Sequence, residues 1–206
     1  GFKNLFHKKA ELELNCDARL VCKNDDGDSK ESTLKKGEVL TLTAEDERLK
    51  HGRMTIIPEK EEGITICSLE RAQGQPVYSG SLEIKKEEEG LVLINELYLE
   101  DYLKKVVPSE MPASYEKEAL KTQAVCARTY AYRQIQGNTY GAYGAHVDDS
   151  TSFQVYNNTQ TNERTDQAVD ETYGQLLTFD GEPIDAFYYS TSCGHGADGS
   201  VWGNTG

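Results

Sequence analysis

The spacing of apolar residues changes period near residue 95, and this change constrains the fold more than any other feature of the chain. From Glu11 to about Ile94 the apolar residues alternate or cluster in short runs: Val39-Leu40-Thr41-Leu42-Thr43, Met54-Thr55-Ile56-Ile57, Gly63 to Cys67, Val77 to Ile84 and Leu91 to Ile94. Runs of this length, set between polar turns such as Asn24-Asp25-Asp26-Gly27-Asp28 and Glu87-Glu88-Glu89-Gly90, read as strands of an antiparallel sheet. Beyond that point Leu99, Tyr102, Leu103 and Val106 fall at helical spacing, with Asn95 the expected cap and Pro108 the expected end. A longer helix is expected next, capped by Ser114 with Glu116 in its first turn. Its inner stripe is Leu120, Ala124, Ala127, Ala131 and Ile135, and Gly137-Asn138 ends it. A further helix around Thr165 to Thr172 precedes two strands, Tyr173 to Phe179 and Pro183 to Thr191, which flank the hairpin pair Asp180-Gly181. The expected fold is α+β. A small β-rich module over residues 1–84, packed on the core or inserted at its edge, joins a helical and loop-rich core with antiparallel strands over residues 85–206.

Composition narrows the function classes. The 206 residues carry 22 basic and 35 acidic side chains, a formal charge of −13. So acidic a surface repels phosphate backbones and anionic head groups, which argues against nucleic acid as a partner. No apolar run approaches the roughly 18 residues that a membrane span requires. The start, Gly1-Phe2-Lys3-Asn4, lacks the layout of a signal peptide, so an excised or mature fragment without its export signal or anchor is expected. The end at Trp202-Gly203-Asn204-Thr205-Gly206 likewise reads as a chain cut within a loop. Five cysteines, Cys16, Cys22, Cys67, Cys126 and Cys193, form no CxxC pair, leaving room for at most two disulfides and arguing against a zinc knuckle. The turn Asn24 to Asp28 has its glycine too early for a calcium loop, and no Glu closes it at the twelfth position, so it reads as a solvated turn.

Three segments carry residues suited to chemistry. In Val106-Val107-Pro108-Ser109-Glu110-Met111-Pro112 two prolines four apart stiffen the backbone on both sides of Glu110. A carboxylate held there beside Met111 fits a general acid; the alternative is a solvated interhelix Glu. On the long helix Lys121, Gln123 and Arg128 lie off the apolar stripe, where their donors suit a glycan or a developing oxyanion; the alternative is an ordinary polar helix face. The third segment is Phe187-Tyr188-Tyr189-Ser190-Thr191-Ser192-Cys193-Gly194-His195-Gly196. Cys193 and His195 suggest a thiolate–imidazole pair but lack an orienting third group. His146, Asp148 and Asp149 have no compact ligand spacing with His195, so no metal site is expected. The twelve tyrosines offer flat, hydroxyl-bearing surfaces on which sugars stack, or equally a packed core.

Val107 to Pro112 followed by Glu118-Ala119-Leu120-Lys121-Thr122-Gln123-Ala124-Val125-Cys126-Ala127-Arg128-Thr129-Tyr130-Ala131 resembles the signature of the stage II sporulation protein D / LytB amidase-enhancer family. Val77-Tyr78-Ser79-Gly80, Tyr98 to Leu103, Gln154-Val155-Tyr156, Tyr189 to His195 and Val201-Trp202-Gly203 extend the likeness over roughly Val77 to Gly206. The resemblance implies a peptidoglycan lytic transglycosylase in which Glu110 is acid and then base. It implies Lys121 and Arg128, with Tyr189, Ser192 and His195 of the groove wall, as substrate-binding residues, and Gln123 on the same helix face is expected to join them. Hydrolysing glycosidases use two carboxylates, whereas here the sugar's own 6-hydroxyl attacks, so one proton shuttle suffices. The resemblance also implies an extracytoplasmic location and a cell-wall amidase as partner. Some members bind zinc through a cysteine pair before the Gln-Val-Tyr motif; this chain has Asp148 and Phe153 there, so no cofactor is expected. The other reading the family allows is a glycan-binding enhancer that does not cut.

Overall fold

The computed structural model describes residues 5–23, 28–71, 74–149, 152–157, 160–189 and 193–196. Ser192, Trp202 and most of the Asn24 to Asp28 turn lie outside the described residues. The fold is α+β, with two antiparallel sheets, a short hairpin and three helices among the described residues.

The first sheet has the order β4-β1-β6-β7, from β1 (Lys9–Leu14), β4 (Val39–Thr43), β6 (Ile64–Ile66) and β7 (Val77–Tyr78). The second has the order β3-β2-β5-β8-β9, from β2 (Ala18–Lys23), β3 (Ser29–Leu34), β5 (Arg53–Pro58), β8 (Ser81–Glu87) and β9 (Gly90–Glu96). Alternation decides which side faces in: Ala10, Leu12 and Leu14 on β1, Met54 and Ile56 on β5, and Leu82 and Ile84 on β8 are all buried. The segment expected as one strand from Val77 to Ile84 breaks at Gly80, whose φ of 77° lets the chain leave one sheet and enter the other. Ile84, the end of the expected module, sits mid-strand in β8, which pairs with β5 on one side and β9 on the other.

The helices are α1 (Leu99–Glu110), α2 (Lys117–Gln136) and α3 (Glu163–Glu171). A helix of 12 residues is marginal alone. Packing holds α1: Leu103, Val106 and Val107 are fully buried, each worth about 1.5–3 kcal/mol. They join the strand residues in one continuous core with Ala124 and Ala127 of α2 and Val169 of α3.

Several expected boundaries move. Asn95 belongs to β9 and is no cap; its Nδ2 donates to the Ser79 and Ser81 carbonyls at 2.7 and 3.0 Å. Pro108 lies inside α1 rather than ending it: only Ser109 and Glu110 of the helix follow it, and the buried Val106 and Val107 just before it pack the helix against the core. Ser114 does not cap α2: Pro112 to Tyr115 close a turn of their own, and Glu116 precedes the helix without a side-chain cap. Ile135, expected on the inner stripe, is 40% exposed in the last turn of the 20-residue α2. The last two strands shrink to β10 (Thr178–Phe179) and β11 (Glu182–Pro183), since almost nothing covers them. All five cysteines are free thiols. Among the described residues no helix is long and apolar enough to cross a membrane.

Candidate functional site

Glu110 is the last residue of α1, where the chain turns from helix to the extended Met111. The backbone of residues 154–157 runs beside that helix end, and its alternation puts Gln154 and Tyr156 inward. The N–H groups of Val155 and Asn157 then point the same way, as period two requires. The Val155 N–H donates to Glu110 Oε1 at 2.7 Å and the Asn157 N–H to Ser109 Oγ at 3.3 Å. Ser109 Oγ in turn donates to the Lys105 carbonyl at 2.6 Å, fastening the last turn of α1. From α3, Arg164 reaches back to the Ala113 and Tyr115 carbonyls at 2.9 and 2.8 Å and fixes the linker that leaves Glu110.

A second donor meets the same carboxylate oxygen: Tyr188 Oη lies 3.2 Å from Glu110 Oε1. Its hydrogen has a determined direction. Gln154 Nε2 faces the Ala127 carbonyl at 3.2 Å, an acceptor only, which fixes the amide orientation. The same Nε2 donates to Tyr188 Oη at 3.1 Å, and Tyr102 Oη donates to Gln154 Oε1 at 3.2 Å. Tyr188 must therefore turn its own proton to Glu110. Burial pushes the Tyr188 and Tyr102 phenols up, which keeps both protonated. Both donors meet Oε1, and Oε2 has no hydrogen bond among the described residues. The arrangement is a half-buried carboxyl group with one oxygen anchored and one open, a geometry that leaves Oε2 accessible for proton transfer.

The other expected site residues fare differently. Arg128 is 1% exposed, and its guanidinium forms a bidentate pair with Glu100, both contacts at 2.8 Å. Its remaining donors reach the Val169 and Gln175 carbonyls and the Thr172 hydroxyl, so it ties α2 to α1 and the end of α3 and has no face left for a glycan. Lys121 pairs with Glu118 at 3.2 Å and lies 3.9 Å from Glu171. Gln123 is 8% exposed, and its Nε2 finds no partner among the described residues. Tyr189 is 68% exposed, and His195 and Cys193 are exposed; none of these five hydrogen-bonds Glu110. Sequence reading missed Tyr188, Gln154 and the Val155 N–H. The alternation of neighbours along an extended strand was the available signal, since it turns one of Tyr188 and Tyr189 inward.

Asp148 and Phe153 are joined through Tyr140, whose hydroxyl donates to Asp148 at 2.6 Å and whose ring lies 5.7 Å from that of Phe153. Among the described residues no three or more His, Cys, Asp or Glu side chains are arranged to hold a metal.

The sequence profile of the stage II sporulation protein (SpoIID) family matches residues 87–179, a span that contains Glu110, Gln154 and all three helices. An uncharacterized protein of Brachyspira hyodysenteriae is 38% identical over 144 residues, covering 69% of this chain and 37% of that protein. The amidase enhancer of Bacillus subtilis is 41% identical over 104 residues, 50% of this chain and 14% of its own length. Stage II sporulation protein D of the same organism is 38% identical over 117 residues, 50% of this chain and 34% of its own length. The chain thus spans well under half the length of each of these relatives. Over residues 87–179 the chain is thus similar to the stage II sporulation protein family.

Proposed function

We propose that this protein is a lytic transglycosylase that cleaves peptidoglycan glycan strands outside the cytoplasmic membrane, with Glu110 as its single acid and base. The observation that carries the reading is the asymmetry of the Glu110 carboxyl: Oε1 held by the Val155 N–H and the Tyr188 hydroxyl, Oε2 open. Glu110 Oε2 gives its proton to the oxygen linking N-acetylmuramic acid to N-acetylglucosamine, and the C1–O bond breaks. The carboxylate then takes the proton from the 6-hydroxyl of the muramic acid as that oxygen bonds to C1, closing a 1,6-anhydro ring. Glu110 returns to its acid form, and no water is consumed. The partners of Glu110 are a backbone N–H and a phenol rather than a second carboxylate, which suits an internal nucleophile. Such a shuttle supplies about 10²- to 10⁴-fold, and the two donors on Oε1 steady the charge between the steps. Tyr189, exposed beside Tyr188, is a surface on which a sugar ring stacks.

A second reading rests on the relative named an amidase enhancer: glycan binding in aid of a cell-wall amidase, without strand cleavage. Purified sacculi and peptide-free glycan strands separate the two. Anhydro-muramyl ends that appear with the wild-type protein and not with Glu110→Gln support the transglycosylase. Glycan capture by both proteins without cleavage supports the enhancer.

A further inference from the structure

The hydroxyl of Tyr188 meets two partners among the described residues, and its effect on Glu110 depends on which of them lies on its proton side. A phenol oxygen gives one hydrogen and accepts others, so its neighbours make the choice. With the proton turned to residue 154, the phenol lone pairs would face Glu110 Oε1 and repel a carboxylate. With the proton turned to Glu110, the same group steadies the charge. The two contacts are alike in length, 3.1 Å to Gln154 Nε2 and 3.2 Å to Glu110 Oε1, so distance does not decide.

Gln154 decides it. The residue is 2% exposed, and its amide is divided among three groups: Nε2 serves the Ala127 carbonyl and the Tyr188 hydroxyl, and Oε1 accepts from Tyr102. The Ala127 carbonyl, on a fully buried residue of α2, cannot donate, so turning the amide over would set oxygen against oxygen there. At the other end Tyr102 is held by its stack on Tyr156, with ring centres 5.3 Å apart and planes 7° from parallel. The hydrogen bonds therefore run in one sense, from Tyr102 through Gln154 and Tyr188 to Glu110, and bonds aligned in this way polarise one another. An amide does not titrate near neutral pH, so Gln154 orients the phenol without opening a path by which a proton could leave Glu110 for the interior. We propose that Gln154 is a positioning residue for glycan cleavage, acting on Glu110 only through Tyr188 by aiming the phenol proton at Oε1. The proposal rests on the reading of Glu110 as the acid and base of that reaction.

Strand cleavage by wild type, Gln154→Glu, Gln154→Met, Tyr188→Phe and the double variant Gln154→Glu/Tyr188→Phe tests this. Glutamate keeps the shape of the amide, but the one hydrogen of its acid form cannot serve both the Ala127 carbonyl and Tyr188, and its ionised form competes with Glu110 for the phenol proton. In Gln154→Glu kcat should fall roughly tenfold with KM unmoved. Gln154→Met offers Tyr188 no rival acceptor, so its kcat should fall less. A role limited to holding the core together reverses that order, because Gln154→Met gives up all three hydrogen bonds and Gln154→Glu keeps the one from Tyr102. The double variant should be no slower than Tyr188→Phe alone, since nothing is left to aim. Losses that multiply, a change confined to KM, or Gln154→Met slower than Gln154→Glu would overturn the proposal. In NMR of labelled wild-type protein the Tyr188 hydroxyl proton should show a cross-peak to the Val155 N–H, because both hydrogens meet Glu110 Oε1. Absence of that cross-peak would overturn the proposal even if no variant folds. The cross-peak in a wild-type protein that cuts no glycan would support the aiming of Tyr188 and defeat the cleavage reading alone, so the two failures are told apart.

Discussion

Replacing Arg128 separates a structural fastener from a glycan contact. In Arg128→Met the side chain keeps much of its length and loses its charge, leaving the Glu100 carboxylate, only 18% exposed, without its bidentate partner. The Val169 and Gln175 carbonyls lose a donor at the same time. Breaking a buried pair by removing one partner costs about 3–5 kcal/mol. For a chain of this length each kcal/mol moves the melting temperature by about 2–4 °C, so the variant should melt about 6–20 °C lower. Adding Glu100→Leu should recover much of that loss, because the double variant buries no unpaired charge. Circular dichroism melts of the four proteins, with glycan pull-down well below each melting temperature, make the comparison. An Arg128→Met protein as stable as wild type but unable to bind glycan would refute the reasoning and return Arg128 to the substrate.

Tyr188→Phe deletes one donor to Glu110 Oε1 and leaves the ring; a hydrogen bond to a charged group of this kind is worth about 1.5–3 kcal/mol, so kcat for strand cleavage should fall roughly 10- to 100-fold with KM unmoved. A change confined to KM would place Tyr188 on the substrate instead. Gly80→Ala should lower the melting temperature by at least about 2–12 °C, since a side chain at φ 77° is strained by about 1–3 kcal/mol and its Cβ would overlap the Glu96 carbonyl oxygen; a variant as stable as wild type would show that the corner between the sheets does not need glycine. Burial, countered by Lys104, pushes the Asp166 carboxyl above its ordinary range, and its Oδ1 has no partner among the described residues. The native state then holds a proton that the unfolded chain has released, so this group's contribution falls as pH rises from the ordinary carboxyl value through the raised one. Asp166→Asn should therefore melt higher than wild type at pH 7, with the advantage fading below the ordinary carboxyl range; a lower melting temperature at pH 7 would contradict this.

What could be read from the chain follows from which forces act locally. The cores of β5, β6 and α2 were legible because burial on one side imposes a period, visible in Met54 and Ile56, in Ile64 and Ile66, and in Leu120, Ala124 and Ala127. β3 was not, because Ser29–Leu34 is an edge strand with only Leu34 buried, and its pairing to β2 is a backbone affair. The caps assigned to Asn95 and Ser114 failed for one reason: each residue type caps helices well, but the Ser79 and Ser81 carbonyls claimed Asn95 and a local turn claimed the chain around Ser114. Glu110 stood out through the prolines beside it. Its partners did not, since Val155 and Tyr188 come from 45 and 78 residues further along the chain. Arg128 shows the limit of reading a helix face: it lies off the apolar stripe, yet α1 and α3 close over it, and only their placement brings Glu100 and the carbonyls after α3 to its guanidinium.

The account turns on one carboxyl group moving a proton while the sugar supplies its own nucleophile. Digestion of peptide-free glycan strands in water enriched in heavy oxygen, with products weighed by mass spectrometry, tests that directly. The prediction is that wild-type protein yields muramyl ends that lack one water and carry no heavy oxygen, and that Glu110→Gln yields none. Labelled reducing ends from the wild type, or undiminished cleavage by Glu110→Gln, would contradict it.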